Sequence, residues 1–169
     1  MSGDVRTADL HLLLHVQSRL RAPVAVIAAR ALGAAGDHAL AWVGAGAVGA
    51  ALDAPRRSHW VRATGVVVAA HAASVVLKRL ARRARPAHAD LRVHPARGGR
   101  WGMPSSHAAS TTAAAIVFGQ LLQTRSTMVL PPAMALSRLV VGVHYPSDVV
   151  AGCALGAATA LGLGRRARR

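Results

Sequence analysis

Three short patterns hold side chains that could move a phosphoryl group. The first is Lys78, six residues, then Arg85-Pro86. A lysine supplies a compact point charge and an arginine a planar fork of donors, so the two together suit phosphate oxygens. The second is Pro104-Ser105-Ser106-His107, at the entrance to an apolar helical stretch. A helix start offers free backbone N–H groups and a positive dipole end to an anion, and His107 would stand beside it to give or take a proton. The third is Ser137-Arg138, five residues, His144, three residues, Asp148. Pro146 fits the first turn of a final helix. Asp148 in that turn lies close enough to hold one nitrogen of His144, fixing its tautomer and leaving the other free to attack.

Each pattern alone has a plainer reading. A basic run beside a membrane is usually a solvated or headgroup-facing surface. A Ser before a helix is an ordinary N-cap, and Asp148 could simply cap a polar turn. The elements that must carry these residues decide the matter. The chain has 169 residues, 53% hydrophobic and 16% charged, yet its formal net charge is +15. Such a composition excludes a disordered polycation. Charge-free apolar stretches run from Ala39 to Leu52, Ala63 to Leu77, Ala108 to Thr124, Ser126 to Ser137 and Val149 to Gly164. Too little polar sequence remains to cover a soluble core, so an integral membrane helical bundle is expected, all-α, with about five to six spans.

Small residues such as Gly156-Ala157-Ala158 permit close helix packing in lipid, and Trp60 and Trp101 at segment edges fit an interfacial belt. A single domain is expected over 1–169. Residues 1–36 form either an amphipathic surface helix before a short span or one poor span, and 78–148 hold the catalytic patterns. The start reads against a cleavable signal peptide. Alternating spans put all three patterns on one membrane face. The positive-inside rule then returns a tie, with eight basic residues in 78–103 and eight among Arg56, Arg57, Arg62, Arg125, Arg165, Arg166, Arg168 and Arg169.

All three patterns in this order, each at a span end, resemble the type 2 phosphatidic acid phosphatase superfamily. The family pattern is K-x6-R-P, P-S-G-H and S-R-x5-H-x3-D, and the match runs from Lys78 to Asp148 with one departure, Ser106 for Gly. That Gly offers mainly a backbone N–H, which Ser retains. The resemblance implies that His144 is the nucleophile of a phosphohistidine intermediate, oriented by Asp148. It implies that His107 protonates the leaving oxygen and then activates water. Lys78, Arg85, Ser105, Ser106 and Arg138 would bind the phosphoryl oxygens. It implies no cofactor and no metal, in keeping with six Asp and no Glu.

A narrower likeness lies in the short length, ALGAAGDHALAW at 31–42, and the surroundings of the second and third patterns. These look like actinobacterial decaprenylphosphoryl-5-phosphoribose phosphatases, which act on a polyprenyl-linked sugar phosphate for cell-wall arabinan. Neighbouring activities are undecaprenyl-diphosphate phosphatase and phosphatidic acid or phosphatidylglycerophosphate phosphatase. The partners expected are therefore a lipid-linked phosphate substrate and membrane lipids, in the plasma membrane of a GC-rich bacterium. A non-enzymatic protein binding anionic lipid is the competing class. Nucleic acid is not expected, since no reader motif or aromatic interleaving occurs, and the oligomeric state is open. Among the remaining residues, His71 reads as a packed interior histidine or a cavity liner. Asp37-His38 reads as helix capping, with substrate contact as the alternative. Arg97-Gly98-Gly99-Arg100-Trp101-Gly102 reads as a mobile loop leading into the second pattern, with gating of the site or contact with the sugar-phosphate as its two functional readings.

Overall fold

A computed structural model describes the backbone of residues 3–94 and 99–166. Arg97 and Gly98 of the expected gating loop, and Arg168 and Arg169, lie outside the described residues. Among the described residues seven α-helices follow in order: α1 Gly3–Arg19, α2 Pro23–Gly36, α3 Leu40–Leu52, α4 Arg57–Ala81, α5 Ser106–Leu121, α6 Leu130–Val140 and α7 Pro146–Arg166. The described residues hold no strand beyond one isolated bridge, Ala84 to Trp101. The all-α expectation holds.

The helices start where local chemistry starts them. Pro residues sit in the first turns of α2 and α6, where a missing N–H costs nothing. The Ser105 side chain caps α5 by accepting from the Ala108 N–H. Three stretches are long and apolar enough to cross a membrane by length and composition: Pro23–Leu52, Ala54–Ala81 and Pro146–Gly164. The first is a finding about the N-terminal region. The apolar run does not begin at Ala39 but includes α2, joined to α3 by a 3₁₀ turn at Asp37–Ala39, while α1 is a separate helix.

Large apolar side chains on these stretches point outward: Val24, Ile27, Leu52, Val61 and Val150 are all more than half exposed. That arrangement suits lipid as the surrounding solvent. The interior is built around α5, which is buried along nearly its whole length and packs chiefly on α7 and α4. Small residues permit this. A Cβ at Gly156 would stand 2.2 Å from the Ala109 carbonyl oxygen, so α7 and α5 approach backbone to backbone.

Trp60 departs from the expected belt. Its ring is buried among α3, α4 and α5, 5.5 Å from the Phe118 ring centroid, and its indole N–H reaches Asp53 at 3.0 Å. In a chain with five aromatic residues by count of Trp, Tyr and Phe, a large ring is worth more filling a core of alanines and valines. Its polar tip still ends at a span boundary. Trp101 lines the cavity described next.

Helices α4 and α6 end, and α5 and α7 begin, at one end of the bundle. The sequence therefore delivers all three patterns to that end. Helix α1 lies across the same end, burying Asp9, Leu13 and Gln17 on one face. Gln17 pins it by donating to the carbonyls of Arg92 and Val140, at 2.9 and 3.1 Å, while accepting from the Arg92 N–H.

Candidate active site

A cavity of about 330 Å³ opens at this end, and Lys78, Arg85, Ser106, His107 and His144 all line it. Five of the eight residues expected to act therefore share one space. Lys78 Nζ donates to the Gly102 carbonyl at 3.1 Å, and Arg85 donates to those of Gly99 and Val143 at 2.8 and 3.3 Å. These bonds hold two cations beside each other by tying them to the loops that flank α5 and α7. Burial works against both charges, and the Asp148 carboxylate partly offsets it.

The other three predicted residues support the cavity from behind. Ser105 is fully buried as the α5 cap, and its N–H donates to the Asp148 carbonyl at 2.9 Å, which ties the second pattern to the third. Asp148 is fully buried below His144, with its Oδ2 3.6 Å from His144 Nδ1. That distance is just beyond a hydrogen bond, and catalytic bonds of this kind commonly shorten only when substrate binds. The same Oδ2 accepts the Tyr145 N–H at 2.9 Å. Arg138 does not line the cavity. Its guanidinium is buried and donates to the Ala29 carbonyl at 3.2 Å and to Ser137 Oγ at 2.8 Å.

His144 is a buried loop residue, and its charge state follows from that. Burial, reinforced by cationic Lys78 and Arg85, outweighs the pull of the Asp148 carboxylate and pushes the imidazole down to about 3. A neutral ring with Nδ1 turned to Asp148 leaves Nε2 to serve as a nucleophile. The stability consequence has a definite sign. The unfolded chain, with a histidine near 6.5, takes up the proton first, so acid favours unfolding between about 6.5 and 3. Melting temperature in detergent should fall as pH drops from 7.5 to 5. His144→Asn, which has no proton to take up there, should show a shallower slope. Equal slopes would count against a buried neutral His144.

Several residues important to the site escaped the sequence reading. Arg83, read only as part of a basic run, is buried between two carboxylates. It reaches Asp9 Oδ2 at 2.6 Å and Asp148 Oδ1 at 3.0 Å, and it also donates to Ser147 Oγ. Asp9 in turn accepts the Ser147 N–H at 3.0 Å. Asp37 does not cap a helix through its side chain, as first read. Its Oδ1 lies 3.0 Å from His107 Nε2, and the Gly33 carbonyl lies 3.1 Å from the same nitrogen. His71 lines the cavity opposite His38, ring centroids 6.3 Å apart, rather than packing in the interior.

Two glycines of α2 make room for this. A Cβ at Gly33 would fall 1.6 Å from Arg138 Nη2, and one at Gly36 would fall 2.8 Å from His107 Cδ2. Helix α2 can lie against the Arg138 and His107 side chains only because these positions have no side chain. The GAAG spacing at 33–36 was the available signal, and it lay within the stretch already noted for its likeness.

Residues 59–167 match the PAP2 superfamily. The chain is 44% identical over 153 residues to a protein of Mycolicibacterium smegmatis named decaprenylphosphoryl-5-phosphoribose phosphatase, covering 90% of this chain and 84% of that one. A Mycobacterium tuberculosis protein of the same name is 41% identical over 150 residues, covering 88% and 85%. The fold also matches the crystal structure of a transmembrane PAP2 type phosphatidylglycerolphosphate phosphatase from Bacillus subtilis. The TM-score is 0.81 at 16% identity, covering 99% of this chain and 88% of that one.

Proposed function

The chain belongs to the PAP2 superfamily and is a membrane lipid phosphatase, and on that premise we propose that it removes the 5-phosphate from a polyprenylphosphoryl-phosphoribose. The observation that carries the chemistry is the convergence of Lys78, Arg85, Ser106, His107 and His144 on one cavity. Likeness to the two mycobacterial relatives supports the substrate. So does the polar wall of His38 and His71, which gives a hydroxyl-bearing headgroup partners that a bare acyl glycerol would not use.

The reaction proceeds in two displacements. His144 Nε2 attacks phosphorus, and the P–O bond to the sugar breaks in line with it. His107 gives its proton to the leaving oxygen, releasing the sugar alcohol. Water then attacks the phosphohistidine while His107 takes one of its protons, the N–P bond breaks, and inorganic phosphate leaves. Lys78, Arg85 and Arg138, with the backbone N–H groups at the α5 start, hold the equatorial oxygens. Positioning and charge stabilisation supply most of the acceleration in such a transfer. For this, Arg138, which does not line the cavity, leaves the Ala29 carbonyl and turns its guanidinium toward the phosphoryl group. We place the protein in a bacterial plasma membrane as one phosphatase domain over 1–169.

Two measurements test this reading. Phosphate release from polyprenylphosphoryl-5-phosphoribose in detergent should persist when EDTA is present, since no step uses a metal. Depleting the protein in its host should raise the phosphorylated form of that lipid. A rise instead in phosphatidic acid, phosphatidylglycerophosphate or a polyprenyl diphosphate would overturn the substrate and leave the chemistry standing.

A further inference from the structure

His107 must change charge twice in the proposed reaction, and the structure gives it a carboxylate that lies in none of the three patterns. Asp37 Oδ1 and the Gly33 carbonyl stand 3.0 and 3.1 Å from His107 Nε2. A carbonyl and a carboxylate can only accept, so Nε2 carries a hydrogen and Nδ1 is the nitrogen left for substrate. We propose that Asp37 is a positioning residue for His107. It forms a second histidine–carboxylate pair that fixes the ring and stabilises the imidazolium from which the leaving oxygen is protonated. This rests on the reading of His107 as the general acid.

Four observations support a dedicated role. His107 is deep in the site and shares its surroundings with the Arg138 guanidinium, a like charge to the imidazolium. Some negative group must offset both if the ring is to hold a proton. Asp37 is that group. Among the described residues the other carboxylates are engaged elsewhere: Asp9 and Asp148 with Arg83, Asp53 with Arg56 and Trp60, Asp90 with His88.

The turn that presents Asp37 is also unusual. His38 and Ala39, which follow it, both adopt left-handed backbone, with φ of +53° and +60°. Two adjacent residues bearing a Cβ in that region are costly, and such strain persists where the surroundings over-determine it. Here the turn kinks the chain between α2 and α3 while the Asp37 side chain reaches His107. Finally, Gly36 rests against the Cδ2 edge of the same ring. The imidazole is thus held along its edge as well as at Nε2.

Leaving-group dependence separates this role from a merely structural one. Wild type, Asp37→Asn, Asp37→Glu and His144→Ala would be compared on a lipid alkyl phosphate and on p-nitrophenyl phosphate, whose leaving group needs no proton. The value of kcat/KM reports the first phosphoryl transfer. Asp37→Asn should lower it about 10²-fold on the alkyl phosphate, the lower end of what a general acid supplies. The loss on the aryl phosphate should be no more than about threefold, and Asp37→Glu should regain part of the alkyl activity. Equal losses on both substrates in both variants, or no loss on the alkyl phosphate, would overturn the proposal while leaving the phosphatase reading intact. A wild type no more active than His144→Ala on both would overturn that reading, and this proposal with it.

Discussion

His144→Ala is expected to cost on the order of 10⁴-fold or more in kcat, the largest loss of any single substitution in the site. In the proposed reaction every other candidate group positions, stabilises or exchanges protons around a phosphoryl group that His144 must first accept. Removing one cation leaves its neighbours to bind the oxygens, whereas removing the nucleophile removes the covalent route itself. The cavity would still hold Lys78 and Arg85, so binding of a phosphate product or of vanadate should weaken far less than turnover. The measurement is a rapid acid-free quench with phosphorus-labelled substrate. Wild type should carry an acid-labile, base-stable label and His144→Ala none. Label retained on the variant would place the nucleophile elsewhere.

The residues that carry this prediction were legible because helix ends fix their spacing. Lys78 and Arg85 flank the α4 terminus, His107 opens α5, and His144 and Asp148 straddle the start of α7. A local pattern at each helix end survives whatever the helices do between. What local pattern could not supply was pairing across the chain. Arg83 has basic neighbours at Arg82 and Arg85, and nothing in the sequence marks it as the buried one. Its partner Asp9 lies 74 residues away. Asp37 and His107 are 70 residues apart, and the turn between α2 and α3 has left-handed residues that are not glycine, so no turn signal announces it. The same cause explains where the span edges shifted. Apolar runs locate Ala63–Leu77 and Val149–Gly164, but α4 extends to Arg57 and Ala81 and α7 to Pro146, because the flanking Arg, Lys and Asp are held by partners that composition does not reveal.

Those partnerships also explain why the site needs α1. The helix contributes no side chain to the cavity lining, yet its Asp9 is the outer half of the clamp on Arg83, and Arg83 is one of two groups holding Asp148. The path from the N-terminal helix to the proposed nucleophile is thus Asp9, Arg83, Asp148, His144, all buried. A surface arginine would leave Asp148 free to turn. A buried one bound on both sides fixes its carboxylate plane, so that Oδ2 faces the imidazole.

Arg83→Met should therefore be the most destabilising single change in this part of the molecule. It would leave Asp9 buried near Ser147 without its cation, and Asp148 with only the unbonded charges of Lys78 and Arg85. Breaking a buried pair by removing one partner costs about 3–5 kcal/mol. For a chain of this length that corresponds to a melting temperature lower by roughly 6–20 °C. Asp9→Asn should cost less, because Arg83 keeps Asp148. At neutral pH the clamp is at full strength. Burial raises the Asp9 carboxyl, but hydrogen bonds from Arg83 and Ser147 outweigh it and hold the group below the usual 3.8. Its contribution is therefore complete above that value and is lost only as pH falls further. Arg83→Lys retains the charge but offers no planar fork to span two carboxylates, so it should recover stability more than activity. Melting curves in detergent, read with turnover per folded molecule, distinguish the cases. An Arg83→Met protein melting within about 2 °C of wild type would show that Asp148 is held in place without Arg83.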